Sequence, residues 1–427
     1  MQGALFWYGL ATWLSFKKIK LRKIIILITG LAFLNSCHVG RYVTRLNANI
    51  TDHKIFPYTE IQAGQKKYKF NSGHNTKLNI KTNGNEISLD SYLRQTSTVS
   101  FLVIQRDSII FENYYKDYKP DDISNIFSAS KSVTSLLVGI AIDEGKIQSI
   151  KDPVTKYIPE LKEEDPKFEK LTIENLLNMR SGLEFKEAYL NPLAHVARLY
   201  YGKNQMKQIK KLKFKTEPGA EHNYQSISTT ILGIVVERAT NMELGKYLEE
   251  KIWQPLGMEF DATWSVDDKK NRSTKAFCCL NTTARDLAKI GRLYLHNGNW
   301  NGQQIISEDW VNRSKIANMD NDCYQYQWYS QSGIGYKNGK ELVYKDSISA
   351  SQGAADNGFK SFYLDETSAS SGIWHIHYCS EDFYALGILG QYLYVNPKNE
   401  IIIVRLGEKW DSNYERIFNQ IIKQLED

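Results

Sequence analysis

Strand-like composition stands at both ends of the body of this chain and helical composition between them, and that order limits the folds open to it. Residues 99–104 and 108–115 are β-branched and aromatic runs joined around Arg106-Asp107, which reads as a hairpin. Residues 383–386, 391–395 and 400–406 return to the same composition, and residues 410–425 close the chain as an amphipathic helix. Between them, residues from Asp152 to about Tyr329 carry apolar side chains at three- and four-residue spacing, best in 172–179, 226–239, 244–252 and 283–295, punctuated by Pro153, Pro192, Pro218 and Pro255. Strands so far apart in sequence bury their apolar faces by meeting in one sheet. The expected fold class is therefore α/β: a mixed antiparallel sheet built from both ends of the body, flanked by helices, with an inserted mainly helical region at about 150–330. Residues 330–382 are polar and rich in Ser and Gly, and their structure is not readable.

A chain of 427 residues with 42% hydrophobic and 24% charged side chains is an ordinary globular protein. Its net charge of +6 owes five positive groups to Lys17, Lys18, Lys20, Arg22 and Lys23, so the remainder is near neutral with mixed signs. That excludes the basic stripe on which nucleic-acid binding depends.

The same basic run leads into the apolar residues 24–34 and then Leu34-Asn35-Ser36-Cys37, the order charged, greasy, small. The apolar part is too short for a bilayer, which takes about 20 residues. The pattern resembles a bacterial lipoprotein signal in which Cys37 becomes the lipidated first residue of an exported, envelope-located protein, periplasmic or surface facing. A plain signal peptide or a short amphipathic anchor is the alternative. With Cys37 set aside, Cys278, Cys279, Cys323 and Cys379 remain. The adjacent pair is not expected to bridge, a Cys323–Cys379 bond is possible, and free buried thiols are the expectation.

Phe127-Ser128-Ala129-Ser130-Lys131 opens an apolar helix over 130–144 that Gly145 closes, so Ser128 and Lys131 lie one turn apart on one face. The helix N-terminus favours negative charge near Ser128, and an amine beside the hydroxyl can take its proton. Taken alone, the same residues are also consistent with an N-cap and a solvated lysine.

The context decides between them. Phe-Ser-Ala-Ser-Lys-Ser-Val-Thr-Ser with Asp152-Pro153, Leu171-Thr172-Ile173, Ser181-Gly182-Leu183, Pro218-Gly219 and Gln254-Pro255-Leu256-Gly257-Met258 resembles the β-lactamase-like serine hydrolases, the superfamily of class C β-lactamases and penicillin-binding proteins, over roughly residues 95–410. Tyr224-Gln225-Ser226 resembles that family's second motif. The resemblance implies that Tyr224 acts as base during acylation and as proton donor to the leaving group, with Ser226 supporting it. The third motif is commonly Lys-Thr-Gly or His-x-Gly; here Leu386-Gly387-Ile388-Leu389-Gly390-Gln391 carries no cation and is most similar to the form in 6-aminohexanoate-dimer hydrolases and related esterases. There the resemblance implies an oxyanion hole of two backbone N–H groups, those of Ser128 and Ile388, with Gly390 in support.

Asn281-Thr282-Thr283-Ala284-Arg285-Asp286 also matches a family stretch, and Asn281 or Thr282 is read as a helix cap before a site residue. Tyr324, Tyr326, Trp328 and Tyr329 are read as core before acyl pocket. His375-Ile376-His377 lacks further ligands at metal-site spacing, and neither a phosphate loop nor a dinucleotide fingerprint occurs. The expectation is a serine hydrolase acting on a small ester, amide or peptide-like substrate through an acyl-enzyme on Ser128, with Lys131 and Tyr224 moving protons and no metal or organic cofactor required. A peptidoglycan carboxypeptidase or β-lactamase is the alternative enzyme, and a non-catalytic ligand-binding lipoprotein the alternative of another class. In domains, this reads as a leader over 1–36, a tether and small N-terminal segment over 37–94, and the hydrolase over 95–427.

Overall fold

The computed structural model describes residues 38–426 apart from 46–47, 74–75, 83, 317, 322, 338–339, 360–361, 367–372 and 411–413. The basic run, the apolar run and Cys37 lie outside the described residues. Arg106 and Asp107 both take left-handed backbone, φ 47° and 61°, which matches the twist of two strands joined by a two-residue turn. They join β1 (Thr98–Gln105) to β2 (Ser108–Tyr114). The other long strands of the same sheet are β3 (Trp328–Ile334), β4 (Trp374–Gly387), β5 (Gln391–Asn396) and β6 (Ile401–Gly407), in the order β3-β4-β5-β6-β1-β2. β6 lies antiparallel to β1 with Ile403 opposite Val103, so the two ends of the body meet in the middle of the sheet. A short parallel pairing of Asn71–Ser72 with β2 makes the sheet mixed.

Every residue of β6 is buried, and all of β1 but Gln105, because both faces of the sheet are covered. On one face Phe101, Val103, Tyr392, Ile401 and Ile403 pack with Ile417, Phe418 and Ile421 of the terminal helix, which spans Tyr414–Leu425. On the other, Leu393, Val395 and Ile402 surround Gly291 in the helix Ala284–Leu295. Each such aliphatic side chain taken fully out of water contributes about 1.5–3 kcal/mol.

Two helices are buried nearly all round and stand behind the site: α1 (Ser130–Asp143) and α2 (Ser226–Thr240). Thr283 caps the helix Ala284–Leu295, its hydroxyl accepting the Asp286 N–H at 3.3 Å. This corrects the expected cap at Asn281 or Thr282. Those two residues belong to the strand Leu280–Thr282 of a second sheet, whose order is Tyr58–Ile61, Ala262–Ser265, Leu280–Thr282, Ser124–Asn125.

The segment expected as a tether and a small N-terminal segment contributes a strand and core side chains from residue 58 on. Tyr58–Ile61 pairs with Ala262–Ser265, and Leu78, Ile80 and Leu89 join the main core. Alternate burial with only two inward side chains in that strand hid it behind a polar composition. The helix Ser347–Asp356 and the strand Phe362–Glu366, paired to the first half of β4, were likewise unreadable.

The described chain divides into two compact units. The larger comprises residues 49–185 and 204–427 and holds both sheets. In the smaller, the helix His38–Arg45 meets the segment 186–203, with the Tyr42 hydroxyl donating to the Tyr189 carbonyl at 3.2 Å.

The free-thiol expectation is corrected for all four cysteines. Cys323 and Cys379 are bonded, their Cα atoms 5.6 Å apart where the chain before β3 lies beside β4. Cys278 and Cys279 are bonded to each other, with Cys279 in left-handed backbone at φ 72°. A sequence separation of 56 residues conceals the first pair, and adjacency argued against the second.

Candidate active site

The strand Ser124–Asn125 delivers the chain to the start of α1, and a side chain of that strand fixes the turn between them. Asn125 Oδ1 accepts the Phe127 N–H at 2.9 Å, holding Phe127 in left-handed backbone at φ 47°. An aromatic residue held there costs about 1–3 kcal/mol, and such residues cluster at functional sites. The turn leaves Phe127 and Ala129 buried while Ser128 between them stays partly exposed.

Lys131, one helical turn on, is almost fully buried. Its Nζ donates to Ser128 Oγ at 2.8 Å and to the Phe277 carbonyl at 3.0 Å, and lies 4.9 Å from the centre of the Tyr224 ring. The solvated-lysine alternative does not describe this side chain.

Tyr224 precedes α2, as the sequence indicated. Its neighbour Gln225 is pinned by the Ser181 hydroxyl, which donates to Gln225 Oε1 at 2.9 Å, and by the Leu183 carbonyl, which accepts from Gln225 Nε2 at 2.9 Å. The Tyr224 ring meets those of Tyr324 and Tyr329 at 5.9 and 6.3 Å, while the hydroxyl of this half-buried residue makes no hydrogen bond among the described residues. Burial beside Tyr224 pushes the Tyr324 phenol well above its ordinary value. Ser226 is buried in the first turn of α2, where its carbonyl accepts from Thr230 Oγ1 at 3.1 Å.

The third-motif segment ends β4 and turns into β5. Gly387 is the last residue of β4, and a Cβ there would stand 2.2 Å from the Ile126 carbonyl oxygen. Bare backbone at 387 therefore lets this strand end touch the segment that carries Ser128. Ile388 follows in the turn, and among the described residues neither its N–H nor that of Ser128 finds an acceptor. Gly390 completes the turn at φ 78°.

Asn281 is buried beside Asn125 and donates to Thr263 and to the Cys279 carbonyl, which makes it a brace for the strand under the nucleophile. Tyr324, Tyr326 and Trp328 are core, and Tyr329 packs against the core. His375 Nδ1 faces Glu341 Oε1 at 2.5 Å, and no metal-binding group is found among the described residues.

Sequence reasoning missed several supporting groups. The Phe277 carbonyl that receives Lys131 has no sequence signal. Gln327 accepts from Thr229 Oγ1 at 2.6 Å and donates to the Leu176 and Leu177 carbonyls at 3.0 and 2.9 Å, while its own carbonyl accepts from Ser132 Oγ at 2.6 Å. It ties α1, α2 and the helix Ile173–Leu177 together. A glutamine between two aromatic residues, reading as core, gave no hint of it.

Comparison with known proteins gives the family and the fold. The family model described as Beta-lactamase matches residues 89–421. The chain belongs to the Beta-lactamase family. It is a serine hydrolase of that family. A protein named 6-aminohexanoate-dimer hydrolase from Paenarthrobacter ureafaciens is 27% identical over 329 residues, 74% of each chain. The solved structure titled "Putative 6-aminohexanoate-dimer hydrolase from Bacillus anthracis" superposes with a TM-score of 0.70 at 20% identity, covering 88% of this chain and 92% of that one. D-alanine Carboxypeptidase AmpC from Burkholderia cenocepacia does so with a TM-score of 0.51 at 16% identity, covering 79% and 96%. The last two likenesses concern the fold of this Beta-lactamase family member.

Proposed function

We propose that this protein hydrolyses small esters or linear amides through an acyl-enzyme on Ser128. The observation that carries the reading is the 2.8 Å contact of Lys131 Nζ with Ser128 Oγ beside the Tyr224 ring. In this reading Lys131 and Tyr224 take the hydroxyl proton as Oγ bonds to the substrate carbonyl carbon. The N–H groups of Ser128 and Ile388 hold the oxyanion, each donor worth about 3–4 kcal/mol. Tyr224 returns the proton to the departing alcohol or amine, and water then splits the acyl ester, freeing the acid and restoring the Ser128 hydroxyl.

The substrate class is inferred from the turn at 386–391, which has no Lys or His to meet a substrate carboxylate. That favours neutral esters and amides over β-lactams, and the name of the Paenarthrobacter relative supports a linear amide. Hydrolysis of p-nitrophenyl acetate and of p-nitroacetanilide, a neutral linear amide, both lost in Ser128→Ala, tests the proposal. Nitrocefin turnover exceeding both would favour the β-lactamase alternative. A protein that turns over none of these and takes no covalent label would be a ligand-binding protein instead.

Export and anchoring through a lipid on Cys37 belong to the same reading. The Cys323–Cys379 bond supports it, since such bonds persist in oxidising compartments. The intact mass of the membrane-extracted protein tests it, with diacylated Cys37 at the N-terminus as the expected result.

A further inference from the structure

The turn at 388–390 rests on a buried cation that the third motif does not include. Arg405 of β6 is fully buried, and its guanidinium carbon lies 3.9 Å from the centre of the Tyr414 ring. Its Nη1 donates to the Leu389 carbonyl at 3.1 Å and to the Gly390 carbonyl at 2.5 Å, while Nε donates to Thr98 Oγ1 at 3.1 Å and Nη2 to the Thr96 carbonyl at 3.0 Å. A guanidinium keeps its charge in proteins, so a fixed positive charge stands under the turn.

The path from that charge to the site runs through peptide planes. The Leu389 carbonyl and the Gly390 N–H belong to one planar group, so the first points to Arg405 and the second points away. That Gly390 N–H donates to the Gly387 carbonyl at 3.2 Å. The Gly387 carbonyl in turn shares its plane with the Ile388 N–H, which is directed oppositely. Hydrogen bonds linked head to tail polarise one another, and a cation at one end strengthens the donor at the other.

We propose that Arg405 is a positioning residue for the oxyanion site, aiming and polarising the Ile388 N–H through the two peptide groups 389–390 and 387–388. The inference rests on the reading of the Ile388 N–H as an oxyanion donor.

The test uses Arg405→Gln, Arg405→Lys and Gly407→Ala. A Cβ at 407 would come within 2.4 Å of Arg405 Nη1 and so displaces the guanidinium from outside the turn, which keeps the question answerable if Arg405→Gln does not fold. With p-nitrophenyl acetate, kcat is expected to fall about tenfold or more in Arg405→Gln and in Gly407→Ala, with KM nearly unchanged and part of the loss recovered in Arg405→Lys. The carbonyl stretching frequency of the trapped acyl-enzyme should rise in the folded variants, because a weaker hole polarises that bond less. Folded variants with wild-type kcat and an unshifted carbonyl band, whatever their thermal midpoint, would overturn the inference. Should the wild type take no acyl group at Ser128, the site reading itself fails. Acylation with no response to Arg405 sinks this inference alone.

Discussion

The Ile126 carbonyl oxygen and the α-carbon of Gly387 are so close that a methyl group on the latter would lie 2.2 Å from that oxygen. This contact sets the end of β4 against the segment bearing Ser128, and so sets the spacing between the two N–H groups read as the oxyanion hole. Gly387→Ala should therefore part the two segments. Displacements near 1 Å at such sites cost about a hundredfold in rate. The kcat for p-nitrophenyl acetate is expected to drop by that order in a protein that still unfolds cooperatively. An alanine variant with wild-type kcat would show that the contact is not needed.

Tyr224→Phe removes a hydroxyl that has no hydrogen-bond partner among the described residues and leaves the ring on Lys131, Tyr324 and Tyr329. Stability should change by less than about 0.5 kcal/mol. If the phenol moves the proton, kcat should fall by about a hundredfold or more. Stopped-flow acylation with thermal unfolding on the same samples separates the two effects, and an unchanged acylation rate would remove Tyr224 from the mechanism.

Much of this was legible because the chemistry demands local patterns. Ser128 and Lys131 sit on one helix, so their relation follows from spacing, and Tyr224 announces α2 at a fixed offset. The hairpin at Arg106-Asp107 and the three C-terminal strands showed through β-branched runs. The features that stayed hidden depend on distant chain: the Phe277 carbonyl under Lys131, the Gln327 brace, Arg405 beneath the third turn and the Cys323–Cys379 bond. No local pattern encodes a partner far away in sequence. The Asn281 cap was misplaced for a simpler reason. Three successive polar residues can each cap a helix, and only the pairing of 280–282 with neighbouring strands leaves Thr283 for the task.

Burial pushes the carboxyl of Glu237 up from 4.5 to about 7, against hydrogen bonds from Thr274 Oγ1 and the Leu244 N–H. A folded-state value above the unfolded one means that the native chain binds the proton more tightly. Its contribution is full below pH 4.5 and is lost as pH rises through about 7. Stability should accordingly decline over that window, by on the order of 2–3 kcal/mol from this group. Glu237→Gln, which keeps the acceptor and cannot ionise, should flatten that decline in urea titrations at pH 4.5 and 7.5. Equal slopes in both proteins would contradict the assignment.

The Cys323–Cys379 bond closes a separation of 56 residues and ties the chain before β3 to β4. Replacing both cysteines by serine should lower stability by about 2–4 kcal/mol, mainly by freeing the unfolded chain. Unfolding in denaturant with and without reductant measures this. Reductant should destabilise the wild type by clearly more than the double variant, which keeps only the Cys278–Cys279 bond. A wild type indifferent to reductant would mean that the bond does not form.

The most direct test of the account is where a fluorophosphonate attaches. Peptide mass mapping should find one adduct, on Ser128, formed slowly or not at all in Lys131→Met and absent in Ser128→Ala. An adduct that persists in Ser128→Ala, or maps to another residue of the wild type, would contradict the account.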